Sequence, residues 1–306
     1  MKVLFISSGN AKDGISPIVK NQGESLKRAG IDLEFFAIEG KGIKGYLRAI
    51  FKLRKHLKKN SYDLFHAHYW LSGIVATLGG AKPLVVSLMG DDVKTKEWIK
   101  WIIFIFYKLF WAKTIVKSKD MFNAFAKDGV EIVPNGVDFN RFKPIDKEIA
   151  QQELGWDSNK KHILFTSDPN RYEKNFKLTK EAFDLINDGS MQLHYMVGIE
   201  NSKVPIYYNA ADVVILTSLW EGSPNAIKEA MACSRPIVAT DVGDVRDNIS
   251  KTKGCFVATF DAKDVASKLK EALKYQKTSG REDIAHLRDD VIAQKLIKIY
   301  NEIKDR

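Results

Sequence analysis

The chain has 306 residues, 45% of them apolar, and carries a net charge of +10. That length suits two domains with ordinary cores. Its two cysteines, Cys233 and Cys255, exclude a disulfide framework and point to a reducing compartment, and no stretch is long enough for a clear transmembrane helix. The charge is uneven: residues 1–130 hold 22 Lys+Arg against 11 Asp+Glu (+11), and the remainder holds 26 against 27 (−1). A basic first half predicts an anionic partner for that half.

In chain order, KVLFIS reads as a first strand, its apolar run being too short for a signal peptide. DLEFFAI, YDLFHAH and PLVVSL are further strands, with helices near 17–29, 43–59 and 70–79. This alternation predicts a parallel, doubly wound sheet. The turn SSGNAKDGISP is rich in Gly, Ser and Asn but lacks a full G-x-G-x-x-G. Residues 40–62 hold eight basic residues and no acid, with Leu47, Ile50, Leu53 and Leu57 on one helical face. His66 and His68 project from the same strand face. No third ligand stands at a metal-site spacing, so we read His66 as a packed strand residue and place His68 at the C-terminal strand end, where open α/β sheets bind ligands. Asp91 and Asp92 are expected to cap the next helix, with one acid facing the ligand. Residues 98–113, WIKWIIFIFYKLFWAK, form a helix apolar almost all round. It is either sandwiched between protein layers or laid against a bilayer surface.

The pattern repeats with HILFTS, MQLHYMV, DVVILTS and PIVAT, predicting a second Rossmann-like domain. After HILFTS, Arg171 and Lys174 follow a strand end and are placed to grip a diphosphate. In TSLWEGSPNAIKEAMACSRPIVATDVG, Ser223 is expected to cap a helix with Pro224 in its first turn. Asn225 and Ala226 then present free amides at the positive helix end. Glu221 precedes this helix and Glu229 lies inside it, farther apart than the roughly 5 Å of a retaining glycosidase pair. Their spacing suits an elongated ligand with hydroxyls at both ends and anionic charge between, the form of a nucleotide sugar.

EGSPNAIKEAMACSRPIVAT, VPNGVDFNRFKP and HAHYWLSG resemble the family 4 glycosyltransferases, which have the GT-B fold and retain anomeric configuration. The resemblance implies that Glu221 contacts the donor sugar near the reacting carbon and Glu229 the ribose diol. It implies that Lys174 and Arg171 stabilise the leaving diphosphate. Gly222, Ser223, Asn225, Ala226 and Gly243 then line the donor, while Gly14, His68 and Asp91 face the cleft on the acceptor side. Met89 stands where family members commonly carry the histidine of a His-Gly pair, which changes the expected sugar preference. The segment between Val197-Gly198 and the Ala210-Ala211-Asp212 run is shorter than in the family, so the base is not assigned.

The expected architecture is therefore α/β of the GT-B type: an acceptor domain over 1–144, a nucleotide-sugar domain over 145–285, and a helix over 286–306 packing back on the first domain. The expected function is metal-independent, cofactor-free transfer from a nucleotide sugar to a saccharide or lipid-linked acceptor. The expected place is the cytoplasm, at the inner face of the membrane, through contact of the basic half with anionic lipid. A sugar-nucleotide epimerase and a non-catalytic GT-B binding domain are the alternatives. A nucleic-acid partner is not expected, because no motif accompanies the charge.

Overall fold

The computed structural model describes residues 1–11, 14–40, 42–90, 97–125 and 129–305. Asp91 and Asp92 lie outside the described residues. The chain divides into two compact units, Met1–Gly136 with Asp289–Arg306, and Val137–Arg288. The expected boundary at 144 falls inside the second unit, and the last helix belongs to the first.

The first unit is a six-stranded parallel sheet in the order β2-β1-β3-β4-β5-β6. Its strands are β1 (Lys2–Ser8), β2 (Asp32–Ile38), β3 (Leu64–His68), β4 (Leu84–Ser87), β5 (Lys113–Val116) and β6 (Val130–Ile132). The helices between them are α1 (Pro17–Arg28), α2 (Gly42–Leu57), α3 (Trp70–Gly79), α4 (Glu97–Leu109) and α5 (Lys119–Phe125). The central strands β3 and β4 are buried along their whole length, which is why they read as unbroken apolar runs rather than alternating ones. The helix expected over 98–113 stops at Leu109 because Trp111 turns into the core, its Nε1 donating to Thr77 Oγ1 at 3.1 Å, and the Ala112 amide joins the Leu84 carbonyl at 2.8 Å. Lys113 thus begins β5, a strand too short for its pattern to show beside a long apolar helix.

The second unit is a five-stranded parallel sheet, β11-β10-β9-β7-β8. Here β7 is Lys161–Phe165, β8 Met191–Tyr195, β9 Val213–Leu216, β10 Ile237–Thr240 and β11 Cys255–Ala258. Around it lie α6 (Lys147–Leu154), α7 (Phe176–Asp184), α8 (Val204–Ala210), α9 (Asn225–Ala232), α10 (Val245–Ile249), α11 (Ala262–Ala272) and the short α12 (Gly280–Asp283). From β7 the chain runs outward to β8 and then returns past β7 to β9, so the switch in direction lies between β7 and β9. Ligands of open α/β sheets bind beyond the carboxyl ends of the strands at such a point.

The final helix, α13 (Asp289–Lys304), packs on α1 within the first unit, where Ser25 Oγ donates to the Asp289 carbonyl at 2.8 Å and Arg28 pairs with Asp289. A Cβ at Gly136 would stand 2.6 Å from the Asp289 Cα. Glycine there is thus required by a close backbone crossing and not only by the turn that Asn135-Gly136 suggests.

Candidate functional site

Three loops at the carboxyl ends of β7, β9 and β10 carry the expected donor residues. The β7 loop ends in the single 3-10 turn Tyr172–Lys174. Thr217, just past β9, fastens that loop by donating to the Asn175 carbonyl at 3.0 Å, and the Leu219 amide bonds to the Glu173 carbonyl at 2.8 Å. These backbone ties bring Lys174 over Glu221. The Nζ to Oε1 distance is 2.6 Å, and both side chains are about 15% exposed. Ser218 Oγ donates to the same carboxylate oxygen at 2.7 Å. Glu221 is thus held by two neighbouring donors, from the loops that follow the two strands flanking the switch point.

Arg171 does not join this pair. Its Nε donates to Glu173 Oε1 at 2.7 Å on the solvent side of the same turn. A short 3-10 turn, rather than a longer loop, points the two basic residues in different directions.

Helix α9 begins one residue later than expected. Pro224 (φ −67°, ψ 116°) is the N-cap, and no side chain caps the helix. The Ser223 hydroxyl donates to Asp244 Oδ2 at 2.6 Å instead of to the helix amides. The dipole's positive end and its first-turn N–H groups are therefore left to a ligand. Asn225 and Ala226 stand in that first turn, and Asn225 Oδ1 is buried with no hydrogen-bond partner among the described residues. Gly243 (φ +60°) sits against the EGSP loop so closely that a Cβ would lie 2.6 Å from the Gly222 carbonyl oxygen. Any other residue at 243 would push the two loops apart.

Glu229 lies on α9 and accepts a 2.9 Å hydrogen bond from the buried Tyr208 hydroxyl. Burial pushes its carboxyl above the ordinary range, and the Tyr208 hydrogen bond and the Arg141 charge oppose that. Arg141 is held in turn by Asn201 Oδ1 at 2.7 Å and lies 4.8 Å over the Phe142 ring. The sequence reading missed Tyr208 and Asp244. A tyrosine two residues before the buried Ala-Ala-Asp run, and an acid after Gly243, were the available signals.

In the first unit, β1 turns to β2 on one side and the chain returns to β3 on the other, so its switch point lies between β1 and β3. His68 ends β3 there. It is buried, stacks on His66 with ring centroids 4.4 Å apart, and its Nε2 has no hydrogen-bond partner among the described residues. His66 is tied on both sides, by Tyr300 Oη at 2.6 Å and Ser87 Oγ at 2.8 Å. Burial holds both imidazoles neutral, well below their ordinary pKa. Gly14 (φ +86°), after β1, exchanges reciprocal 3.0 Å backbone hydrogen bonds with Ala11. Asp91 is outside the described residues, and no cluster of three metal-ligating side chains occurs among those that are described.

Two Rossmann-like units with ligand-type residues at their switch points define a GT-B protein. The solved structures agree on the fold. A sucrose-phosphate synthase from Thermosynechococcus elongatus superposes with a TM-score of 0.84 at 17% identity, covering 99% of each chain. Anabaena HepE, solved in complex with UDP and glucose, gives 0.76 at 17% identity over 99% of this chain and 100% of its own. The sequence places the family. The model described as Glycosyltransferase Family 4 matches residues 13–141, and that described as Glycosyl transferases group 1 matches residues 181–275. The chain belongs to the family 4, group 1 glycosyltransferases. A relative in Escherichia coli, the UDP-Gal:alpha-D-GlcNAc-diphosphoundecaprenol alpha-1,3-galactosyltransferase, is 25% identical over 64% of this chain and 62% of its own length. The chain thus spans about six-tenths of the length of the curated relatives it matches.

Proposed function

We propose that this chain is a retaining glycosyltransferase that moves a sugar from a nucleotide-sugar donor to a saccharide or lipid-linked acceptor. The observation that carries this reading is the Lys174–Glu221 pair beside the uncapped N-terminus of α9, with Glu229 about one turn into that helix. In this reading Glu229 accepts the two ribose hydroxyls. The first-turn amides at Asn225 and Ala226, the Gly222-Ser223 loop and the Gly243 turn cradle the diphosphate, and Lys174 neutralises the charge that grows on it as the glycosidic bond breaks. Arg171 adds charge from the solvent edge of the same turn. Glu221 faces the anomeric carbon as it becomes positive. The departing phosphate oxygen takes the acceptor hydroxyl's proton on the same face, so the new bond keeps the old configuration. These groups supply the positive charge that the leaving diphosphate needs, so the reading is of metal-independent transfer. Gly14, His68 and Asp91 are assigned to the acceptor.

The relatives are transferases, which favours transfer over an epimerase or a non-catalytic binding domain. A thermal-shift screen against nucleotide sugars tests the donor site. A donor at a hundred times its Kd stabilises by about 2.7 kcal/mol. Turnover of the best donor in the presence of a chelator then checks the metal-independent step. A screen with no shift for any donor would contradict the reading.

The acceptor side carries a second feature. Within the first unit, Ile103 and Tyr107 turn α4 into the core, while Trp98 (61% exposed), Trp101 (69%), Phe104 and Leu109 face outward, as do Leu47 and Phe51 (67%) on α2. Lys44, Arg48, Lys55, Lys58 and Lys59 lie on or just after α2. Apolar and aromatic side chains among lysines suit the interface of an anionic bilayer, where each basic residue contributes about 1 kcal/mol. No helix among the described residues is long and apolar enough to cross a membrane. We assign this surface to peripheral contact at the cytoplasmic face, which brings the site to an acceptor such as the diphosphoundecaprenol-linked sugar named for the Escherichia coli relative. Sedimentation with anionic and neutral vesicles at low and high salt tests it. Equal recovery in the supernatant under all conditions would sink the assignment.

A further inference from the structure

Lys228 lies on α9 between Ile227 and Glu229, and its side chain is fully buried. Its Nζ donates to Ser223 Oγ and lies 3.7 Å from Asp244 Oδ2, while Ser223 Oγ donates to that same oxygen at 2.6 Å. The three residues come from the two loops that Gly222 and Gly243 bring into backbone contact and from the helix between them. Asp244 is held through Oδ2, its buried Oδ1 having no hydrogen-bond partner among the described residues.

A buried Lys–Asp pair is a poor way to gain stability, since apolar residues of similar size do as well or better. What the pair does is fix geometry. A serine just before a helix ordinarily turns its oxygen onto the first-turn amides. Here the aspartate takes the proton of the Ser223 hydroxyl and the lysine donates to its oxygen, which turns that oxygen away from the helix amides, and α9 starts on a proline with no side-chain cap. The same contacts tie the EGSP loop to the DVGD loop, the two segments that would surround a diphosphate.

We infer that Lys228, Ser223 and Asp244 are positioning residues for the donor diphosphate: they withhold the serine cap from α9 and brace the two phosphate loops against each other. This rests on the donor-site reading above. The inference concerns residues behind the ligand, so it has its own signature. It predicts loss of phosphate affinity even when the buried charges are removed together and the fold is kept.

The test is calorimetric titration of UDP, GDP and ADP into the full chain and three variants. Lys228→Met leaves Asp244 buried without its cation and is expected to lower the melting temperature. Lys228→Met/Asp244→Leu removes both charges and is expected to restore it. The double variant should still bind the preferred nucleoside diphosphate about 10- to 100-fold more weakly, the worth of one or two hydrogen bonds to a charged ligand. Donor KM should rise accordingly, with kcat changed far less. Ser223→Ala removes one hydroxyl without a charge imbalance and should show a smaller loss in the same direction. A double variant that melts and binds as the native chain does would reduce the three residues to packing and overturn the inference. Native chain that binds none of the three nucleotides would instead overturn the donor-site reading, and the inference with it.

Discussion

Tyr208→Phe isolates one contact at the donor site. The substitution keeps the buried ring and removes only the hydroxyl that donates to Glu229 Oε2 at 2.9 Å. Burial already pushes the Glu229 carboxyl up, and this hydrogen bond is the largest of the influences that hold it down. A hydrogen bond to a charged group is worth roughly 1.5–3 kcal/mol, so its loss leaves the effect of burial less opposed and the carboxyl is pushed further up. Without it, Glu229 protonates at higher pH. A protonated carboxyl accepts only poorly from two ribose hydroxyls, so the donor KM of the variant should climb as pH falls. We expect a rise of roughly tenfold or more at the acid end of the range, shrinking as pH rises, from a contact of this size. Because the contact serves ground and transition states alike, kcat should change little. Donor KM measured across pH 5.5–8 for both proteins is the assay. A KM ratio near one at every pH would refute the assignment of Glu229 as an ionised ribose ligand oriented by Tyr208.

Met89→His should reorder the donor sugars in a competitive panel, because a thioether cannot supply the imidazole hydrogen bond and polar contacts give the large discrimination factors; an unchanged order would show that Met89 does not face the sugar. His66 and His68 are buried and neutral in the fold, with pKa values well below the ordinary 6.5. Below that value the unfolded chain binds more protons than the folded one, so stability should fall as pH drops from 7.5 to 5. His66→Asn or His68→Phe should flatten that slope in thermal melts, and identical slopes would contradict it. Glu229→Ala should raise donor KM with turnover nearly kept, read by the same steady-state assay.

Much of this was legible because the chemistry is local. The strands KVLFIS, DLEFFAI, HILFTS and DVVILTS are long or wholly buried, and their apolar runs show directly. So does the EGSPN segment, where glutamates, a serine and a proline sit within a few residues. Three short strands did not show. Lys113–Val116 was absorbed into the apolar α4, while Val130–Ile132 and Cys255–Ala258 are too brief to display a pattern. The helix start after Ser223 was misplaced by one residue for a tertiary reason. Its hydroxyl is taken by Lys228 and Asp244, and no local rule reveals a partner twenty-one residues away. The same holds for Lys174 and Glu221, 47 residues apart in sequence, which only the return of the chain past β7 brings to 2.6 Å. Arg171, three residues from Lys174, looked equivalent by type and turned out to face Glu173.

The most direct test of the central claim is turnover by Glu221→Gln with the donor that the screen selects. The substitution keeps the shape, and the fold can be checked by its melting curve. If Glu221 faces the anomeric carbon as charge develops, kcat should fall by about 10²- to 10³-fold, roughly 3–4 kcal/mol for one well-placed group, with donor KM within a few-fold of native. A folded variant that turns over at the native rate would contradict the account at its centre.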